Sequence, residues 1–461
     1  MGSTFGQLYR FTVFGASHAP EIGVVIEGLP AGTKIDREAL RAFLKRRAPG
    51  QNEYSTARRE ADEPIFAEGL DESDLTTGVP LRVVIRNTDI RSADYDAFRT
   101  VLRPGHADYP AYVKTGQIPP GGGHWSGRMT APLCIAGGIA RQLLAREGIR
   151  VDARIESIAG LHDPDPFTGS TESKMLPVSS SDPLLLKRFQ DKISAARAAG
   201  DSVGGTVECR ITGLPVGLGD HPFDGLENRI AAAVFGIPAV KGIEFGDGFA
   251  LSALRGSQAN DAYHMEDGRV VTATNHCGGV LGGMSDGMPL LFRVAFKPTP
   301  TISLPQESVD LTTGETVTLR GKGRHDPCIV PRAVPVVEAA ASAALYDLLL
   351  TDKKPSGKAD LADLRRKIDR ADRAILDSFL QRMQTSAEIA AYKSEKKLPV
   401  RDEAREDALL KKIAGETSPR EWRPYSTALF TTILALSRTE QERIMEAAEA
   451  DAPGSGSEVT G

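Results

Sequence analysis

Two regimes of hydrophobic patterning divide the chain near residue 352. Before that point, short apolar runs alternate with glycine-rich turns. Val83-Val84-Ile85 and the stretch 290–296 predict buried strands, while stretches 131–145 and 336–350 predict apolar helices. Such a mixture predicts layered α/β structure. After residue 358 the period lengthens. Leu361, Leu364, Ile368, Ala371, Ile375, Leu376 and Phe379 recur at three and four, the stripe of an amphipathic helix. No glycine or proline falls between residues 359 and 398, and Pro399 ends the helix. Two more helices are predicted over about 402–413 and 420–448.

The pattern therefore predicts an α+β protein. A large layered α/β sandwich domain spans residues 1–350, a polar Pro/Gly linker spans 351–358, and a small all-α three-helix domain spans 359–448. A Gly/Ser-rich tail over 449–461 is expected to be disordered. The first tail helix would be ~55–60 Å long. No helix of equal length accompanies it in its own domain, so pairing with another protomer is expected. No internal repeat is visible.

Composition narrows the function. A formal charge of -5 argues against nucleic-acid binding. Cys134, Cys209, Cys277 and Cys328 are widely spaced, as expected of reduced, packed thiols in a cytoplasmic protein. No signal peptide opens the chain and no run reaches the ~18 apolar residues of a membrane helix, so neither export nor a membrane is expected. No His/Cys cluster has metal-ligand spacing.

The chemistry lies in broken, glycine-flanked segments: Phe14-Gly15-Ala16-Ser17-His18, Arg103-Pro104-Gly105-His106-Ala107-Asp108-Tyr109 and Arg324-His325-Asp326-Pro327. Loops that hold His, Asp and Arg against tight backbone suit proton transfer and anion binding. Gly121-Gly122-Gly123 and Gly278-Gly279 allow close backbone approach to a ligand, although turns explain most such runs. Taken with Asn87-Thr88-Asp89, Lys241-Gly242, Leu254-Arg255-Gly256-Ser257 and Lys297-Pro298-Thr299, these runs resemble the chorismate synthase family in order and spacing, over roughly residues 5–350.

That resemblance implies an anti-1,4-elimination of phosphate from 5-enolpyruvylshikimate 3-phosphate, giving chorismate. It also implies reduced FMN as cofactor, with NADPH at most a source of electrons. By the same resemblance His18 protonates the leaving phosphate, His106 protonates the flavin, and Asp326 assists the flavin as base. Arg47, Arg128 and Arg324 would clamp the anionic substrate, a task suited to a planar guanidinium. Flavin contacts are implied at Trp125, Ser126, Pro238, Ala239 and Gly282, at Lys297, Pro298, Thr299, Pro300 and Thr301, and at Arg324. Ser17 and Arg332 would stand behind these residues. His124 replaces an arginine common in the family, and Glu53 a basic residue. His124 either touches the flavin or fills space.

The tail has its own polar set. Arg365 and Arg382 lie 17 residues apart on one helix, ~25 Å, too far to hold one small ligand unless a second helix brings another arginine close. Asp402, Arg405 and Glu406 share a helix face, as do Ser437 and Gln441. With Lys393, these positions resemble the all-helical chorismate mutase family over about residues 359–448. The resemblance implies an intertwined dimer and the Claisen rearrangement of chorismate to prephenate. Arg365 from the other protomer, Arg382 and Arg405 would bind the two carboxylates. Lys393 and Gln441 would donate to the ether oxygen, and Glu406 would hold the ring hydroxyl. Asp402 and Ser437 would complete substrate binding. The alternative is an active synthase with a non-catalytic chorismate-sensing or oligomerisation tail. A homotetramer with dimeric mutase domains is the expected assembly.

Overall fold

A computed structural model describes residues 3–50, 60–88, 99–164, 167, 182–220, 222–321, 326–352 and 361–450. Arg324, Glu53, most of the expected linker and the 451–461 tail lie outside these residues. The chain divides into two compact units, Met1–Lys354 and Pro355–Gly461.

The first unit is built on two five-stranded antiparallel sheets. One comprises β1 (Thr4–Phe5), β2 (Arg10–Gly15), β3 (Glu21–Glu27), β4 (Ile65–Glu68) and β5 (Leu81–Arg86), in the order β1-β2-β3-β5-β4. The other comprises β6 (Arg150–Ile158), β7 (Leu161–His162), β8 (Gly205–Thr212), β9 (Val240–Phe245) and β14 (Leu290–Phe296). Its order is β7-β6-β8-β14-β9. Three hairpins complete the strands: β10 (Tyr263–Glu266) with β11 (Arg269–Thr272), β12 (Val280–Leu281) with β13 (Met284–Ser285), and β15 (Pro305–Val309) with β16 (Thr316–Arg320). The helices are α1 (Arg37–Arg47), α2 (Asp108–Thr115), α3 (Thr130–Arg146), α4 (Pro183–Ala198), α5 (Leu226–Val234), α6 (Gly256–Ala259) and α7 (Val330–Asp352).

Helices fill the space between the sheets. α3 lies on the first sheet, α7 on the second, and the two helices pack on each other. β14 alternates buried and half-buried positions, since only one face meets α7's layer. α3 and α7 are covered almost all round, which is why their sequences carry so little polar interruption. Their approach is close: a Cβ on Gly137 would lie 2.3 Å from the Ala339 Cα. By length and composition α7 could cross a membrane, contrary to the sequence expectation, yet 89% of its apolar window is buried inside the protein. Its apolarity belongs to the core between the sheets.

Polar pins fix the layers. Asp347 on α7 is fully buried and accepts from the amides of Gln7 (2.9 Å), Leu8 (2.7 Å) and Tyr9 (2.9 Å), and from Arg229. Glu338, one face away, accepts from both terminal nitrogens of Arg46 at 2.6 and 2.8 Å.

The second unit consists of α8 (Leu361–Lys396), α9 (Glu403–Glu416) and α10 (Arg423–Ala450), the last preceded by a short 3-10 turn over Arg420–Trp422. Asp402 caps α9, accepting from the Arg405 amide at 3.0 Å. At 36 residues α8 is about 54 Å long. α10 packs along it within the unit, through Ala390, Ser386, Leu434 and Ser437, all buried. A stripe on α8 stays exposed, including Leu364, Ile368, Ile375, Leu376 and Leu380.

Candidate active site

The first unit contains a cavity of about 230 Å³ whose lining includes Arg47, Arg128, Arg332, Glu60, Asp326, Ser126 and Pro238. One buried carboxylate, outside the lining itself, ties two of its arginines together. Asp62 takes Arg47 Nη1 on Oδ2 at 2.5 Å and Arg128 Nη1 on Oδ1. Burial alone would raise the Asp62 carboxyl, but Arg47 and Arg128 hold it below its ordinary value. Asp62 adopts a left-handed φ of 52°, uncommon for a non-glycine residue, to present both oxygens this way. Arg47 also donates to Thr130 Oγ1 at 3.1 Å and to the Gly127 carbonyl at 3.2 Å. Arg128 is 6% exposed; its Nε donates to Asn87 Oδ1 at 3.0 Å and stands 3.3 Å from Glu60. Its Nη2 is buried with no acceptor among the described residues. Arg332 donates to Asp326 at 2.6 Å and to the Arg47 carbonyl at 3.0 Å. An unpaired guanidinium donor facing preset arginines is chemistry for an anion.

The expected proton carriers stand in two further clusters. Ser17 Oγ lies 3.1 Å from His18 Nδ1, and the Ser17 amide donates to the Gly123 carbonyl at 3.1 Å. A Cβ on Gly121 would fall 2.1 Å from the His18 ring, so only glycine lets this loop lie against the imidazole. His106 Nδ1 is 3.1 Å from the Pro104 carbonyl and Nε2 is 2.7 Å from Thr301 Oγ1. A carbonyl only accepts, so Nδ1 carries the proton and Nε2 takes the threonine hydroxyl. Burial, then the neighbouring Arg103 guanidinium, lowers His106 to about 4. Arg103 itself is locked on Asp108 by bonds of 2.8 and 2.7 Å. Lys297, lowered by burial and by Lys241, donates to the Gly105 carbonyl at 2.6 Å. The strand exit 297–301 thus grips the His106 loop. It also contributes a buried Thr299 Oγ1 with no partner among the described residues.

The second unit carries its polar set along the α8–α10 seam. Ser437 is buried, with Oγ 3.9 Å from Met383 Sδ. Arg382 Nε and Gln441 Oε1 are buried without partners among the described residues. Lys393 Nζ donates to the Val400 carbonyl at 2.5 Å. Glu406 accepts from Arg438 Nη1 at 2.7 and 2.6 Å. Arg365 and Arg405 are exposed and make no ion pair among the described residues.

A family model for chorismate synthase matches residues 9–350. The chorismate synthase of Lancefieldella parvula is 45% identical over 368 residues, covering 76% of this chain and 96% of its own. The chain belongs to the chorismate synthase family. That of Thermococcus gammatolerans is 47% identical over 354 residues, covering 76% and 99%. A crystal structure of a chorismate synthase, 24% identical, aligns with a TM-score of 0.56 over 79% of this chain and 98% of its own; this likeness concerns fold. Residues 364–442 match a second family model, chorismate mutase type II, so the synthase is followed by a mutase domain in one chain.

Within the synthase unit, the structure brings Arg47, Arg128, Ser126, Pro238 and Asp326 to one cavity. His106, Lys297, Pro300 and Thr301 gather at the β14 exit. Thr299 is tied to Ser202 and Ala239 to the Lys297 amide. His124 and Trp125 stack at 3.7 Å and line a second, larger cavity of about 490 Å³, which Pro238 joins to the first. Gly282 forms the β12–β13 turn; no described contact ties it or Pro298 to either cavity. Sequence reasoning missed Glu60 and Asp62, marked Asn87 as a motif residue without giving it a role, and set Arg332 behind the site although it lines the cavity. The acidic run 60–63 carries no mark that separates a buried arginine clamp from surface charge.

Proposed function

We propose that the first unit eliminates phosphate from 5-enolpyruvylshikimate 3-phosphate to give chorismate, with reduced FMN, and that the helical unit converts chorismate to prephenate. The observation that carries the first half is Arg128 Nη2, without an acceptor among the described residues, beside Arg47 and Arg332, a donor set for a multiply anionic substrate. The residues fit the flavin as well. The His106 imidazole, the Lys297 ammonium and the spare Thr299 hydroxyl would hold it, with Ser126, Pro238 and Ala239 alongside. Bound there, reduced FMN supplies electron density transiently, for chemistry no side-chain base performs alone. His18 would deliver a proton to the departing phosphate while Arg47 and Arg128 neutralise it. Asp326, fixed by Arg332, would serve as the acceptor for a proton. His106 rests neutral, and an anion beside it would favour its charged, donating form.

For the second unit, Arg382 Nε and Gln441 Oε1 on facing helices have no partner among the described residues, which supports a ligand at this seam. Arg382, Lys393 and Gln441 would bind and polarise chorismate there, and Arg365 would come from a second protomer. The rearrangement needs only a compact conformer and complementary charge. The exposed α8 stripe supports a dimer through this unit. Phe249, Tyr263, Met265 and Val270, exposed on the first unit, support a further interface and hence a tetramer.

An anaerobic assay with 5-enolpyruvylshikimate 3-phosphate and chemically reduced FMN, following phosphate, chorismate and prephenate, tests both halves. Phosphate with prephenate is the expected result. Phosphate with persistent chorismate overturns the mutase half and leaves a binding or assembly tail. No phosphate overturns the first half. Replacing the chemical reductant with NADPH asks whether the chain reduces its own flavin.

A further inference from the structure

Asn87 follows β5 and is buried, at 9% exposure. Its Nδ2 donates to the Ala19 carbonyl at 2.7 Å and the Ala16 carbonyl at 3.3 Å, the two residues bracketing Ser17-His18. Its Oδ1 accepts from Arg128 Nε at 3.0 Å, and its backbone amide donates to the Pro20 carbonyl at 3.0 Å. The amide orientation is forced by its neighbours, because two carbonyls can only accept and a guanidinium can only donate. A carboxamide of this length offers both functions at once. Aspartate would turn oxygen toward the two carbonyls, a hydroxyl has too short a reach, and alanine would remove all three bonds, leaving the Ala16 carbonyl only the Ala19 amide at 3.0 Å and Arg128 Nε only Glu60 at 3.3 Å.

We propose that Asn87 is a positioning residue that couples the His18 loop to Arg128, setting the proton donor in register with the anion-binding guanidinium. The proposal rests on the elimination assigned above to His18 and Arg128. On the opposite side the loop is held by the Pro120–Gly123 backbone through Ser17, so Asn87 braces it from the side that faces Arg128. Losing it frees the loop and unseats Arg128 Nε together, which predicts a combined effect on kcat and KM.

The test uses the full chain as wild type, Asn87→Ala and Asn87→Asp, with and without His18→Ala. Two readouts are taken. Backbone hydrogen exchange over residues 14–22 reports the bracket without any turnover. Phosphate release from 5-enolpyruvylshikimate 3-phosphate with chemically reduced FMN reports its consequence. The expected result is exchange about tenfold faster in that segment in both variants. In Asn87→Ala, kcat should fall about 10–100-fold with a raised KM. In the His18→Ala background the same change should cost kcat less than about threefold, because the group it positions is gone. Asn87→Asp should add charge beside the anion and raise KM further. Unchanged exchange overturns the proposal. So does an equal loss of kcat in both backgrounds, which a merely structural residue would give. A wild type that releases no phosphate overturns the assigned elimination instead, while the exchange experiment still decides the bracket.

Discussion

Arg128 in the first unit is 6% exposed and is held by Asp62 and Asn87, whereas Arg365 and Arg405 in the second unit are exposed and make no ion pair among the described residues. One set of arginines is paid for in advance: three guanidiniums around the cavity are matched by Glu60, Asp62 and Asp326 within the same unit. The other set has spare donors and an uncovered apolar stripe beside them. The difference teaches that a site closed by its own carboxylates can be judged from one chain, while a site strung along a 36-residue helix has to be judged with what covers that helix.

The sharpest attack on this contrast is Arg128→Ala. It leaves Asp62 and Glu60 buried with less compensation, a penalty of about 3–5 kcal/mol. Phosphate release should fall by about 100-fold or more, with a lower Tm, while chorismate turnover by the helical unit is retained. Next comes Ile375→Glu on the exposed stripe. It should leave phosphate release intact, reduce the assembly seen by analytical ultracentrifugation, and lower mutase turnover about tenfold or more, most severely on dilution. An unchanged assembly would remove the case that α8 is covered by a second copy.

A third prediction concerns pH. His106 sits at about 4 in the folded chain against 6.5 unperturbed. Between these values the unfolded chain binds more protons, so stability is fully present above about pH 6.5 and is lost as pH falls toward 4, by roughly 3 kcal/mol. His106→Gln should flatten that part of the Tm-against-pH curve. The smallest effect is expected at Asp402. Asparagine caps a helix about as well, so Asp402→Asn should move stability by a few tenths of a kcal/mol. A large loss of mutase turnover in that variant would show that the carboxylate serves the substrate as well as the cap.

Local order was easy to read from the sequence, and nonlocal order was not. α3, α7 and the three tail helices follow from apolar runs and period, because helix bonds close within the segment. The insertion of β14 between β8 and β9 could not be seen, since antiparallel pairing across roughly 50 to 90 residues leaves no local trace. The same holds at the site. His106 and Lys297 were legible as motif residues, yet the bonds that join their loops, Lys297 to the Gly105 carbonyl and His106 to Thr301, were not. Asp62 looked like one charge in an acidic run, and its burial follows only once α1 and the turn before α3 bring Arg47 and Arg128 to it.

The Asp347 pin also governs where the chain can be cut. This carboxylate stands five residues before the end of α7 and holds three backbone amides near the start of the chain, with Arg229 as counter-charge. An expression boundary for an isolated synthase has to fall beyond Asp352. A truncation drawn to remove the helical unit generously, through the last turns of α7, would unfasten the first strands instead.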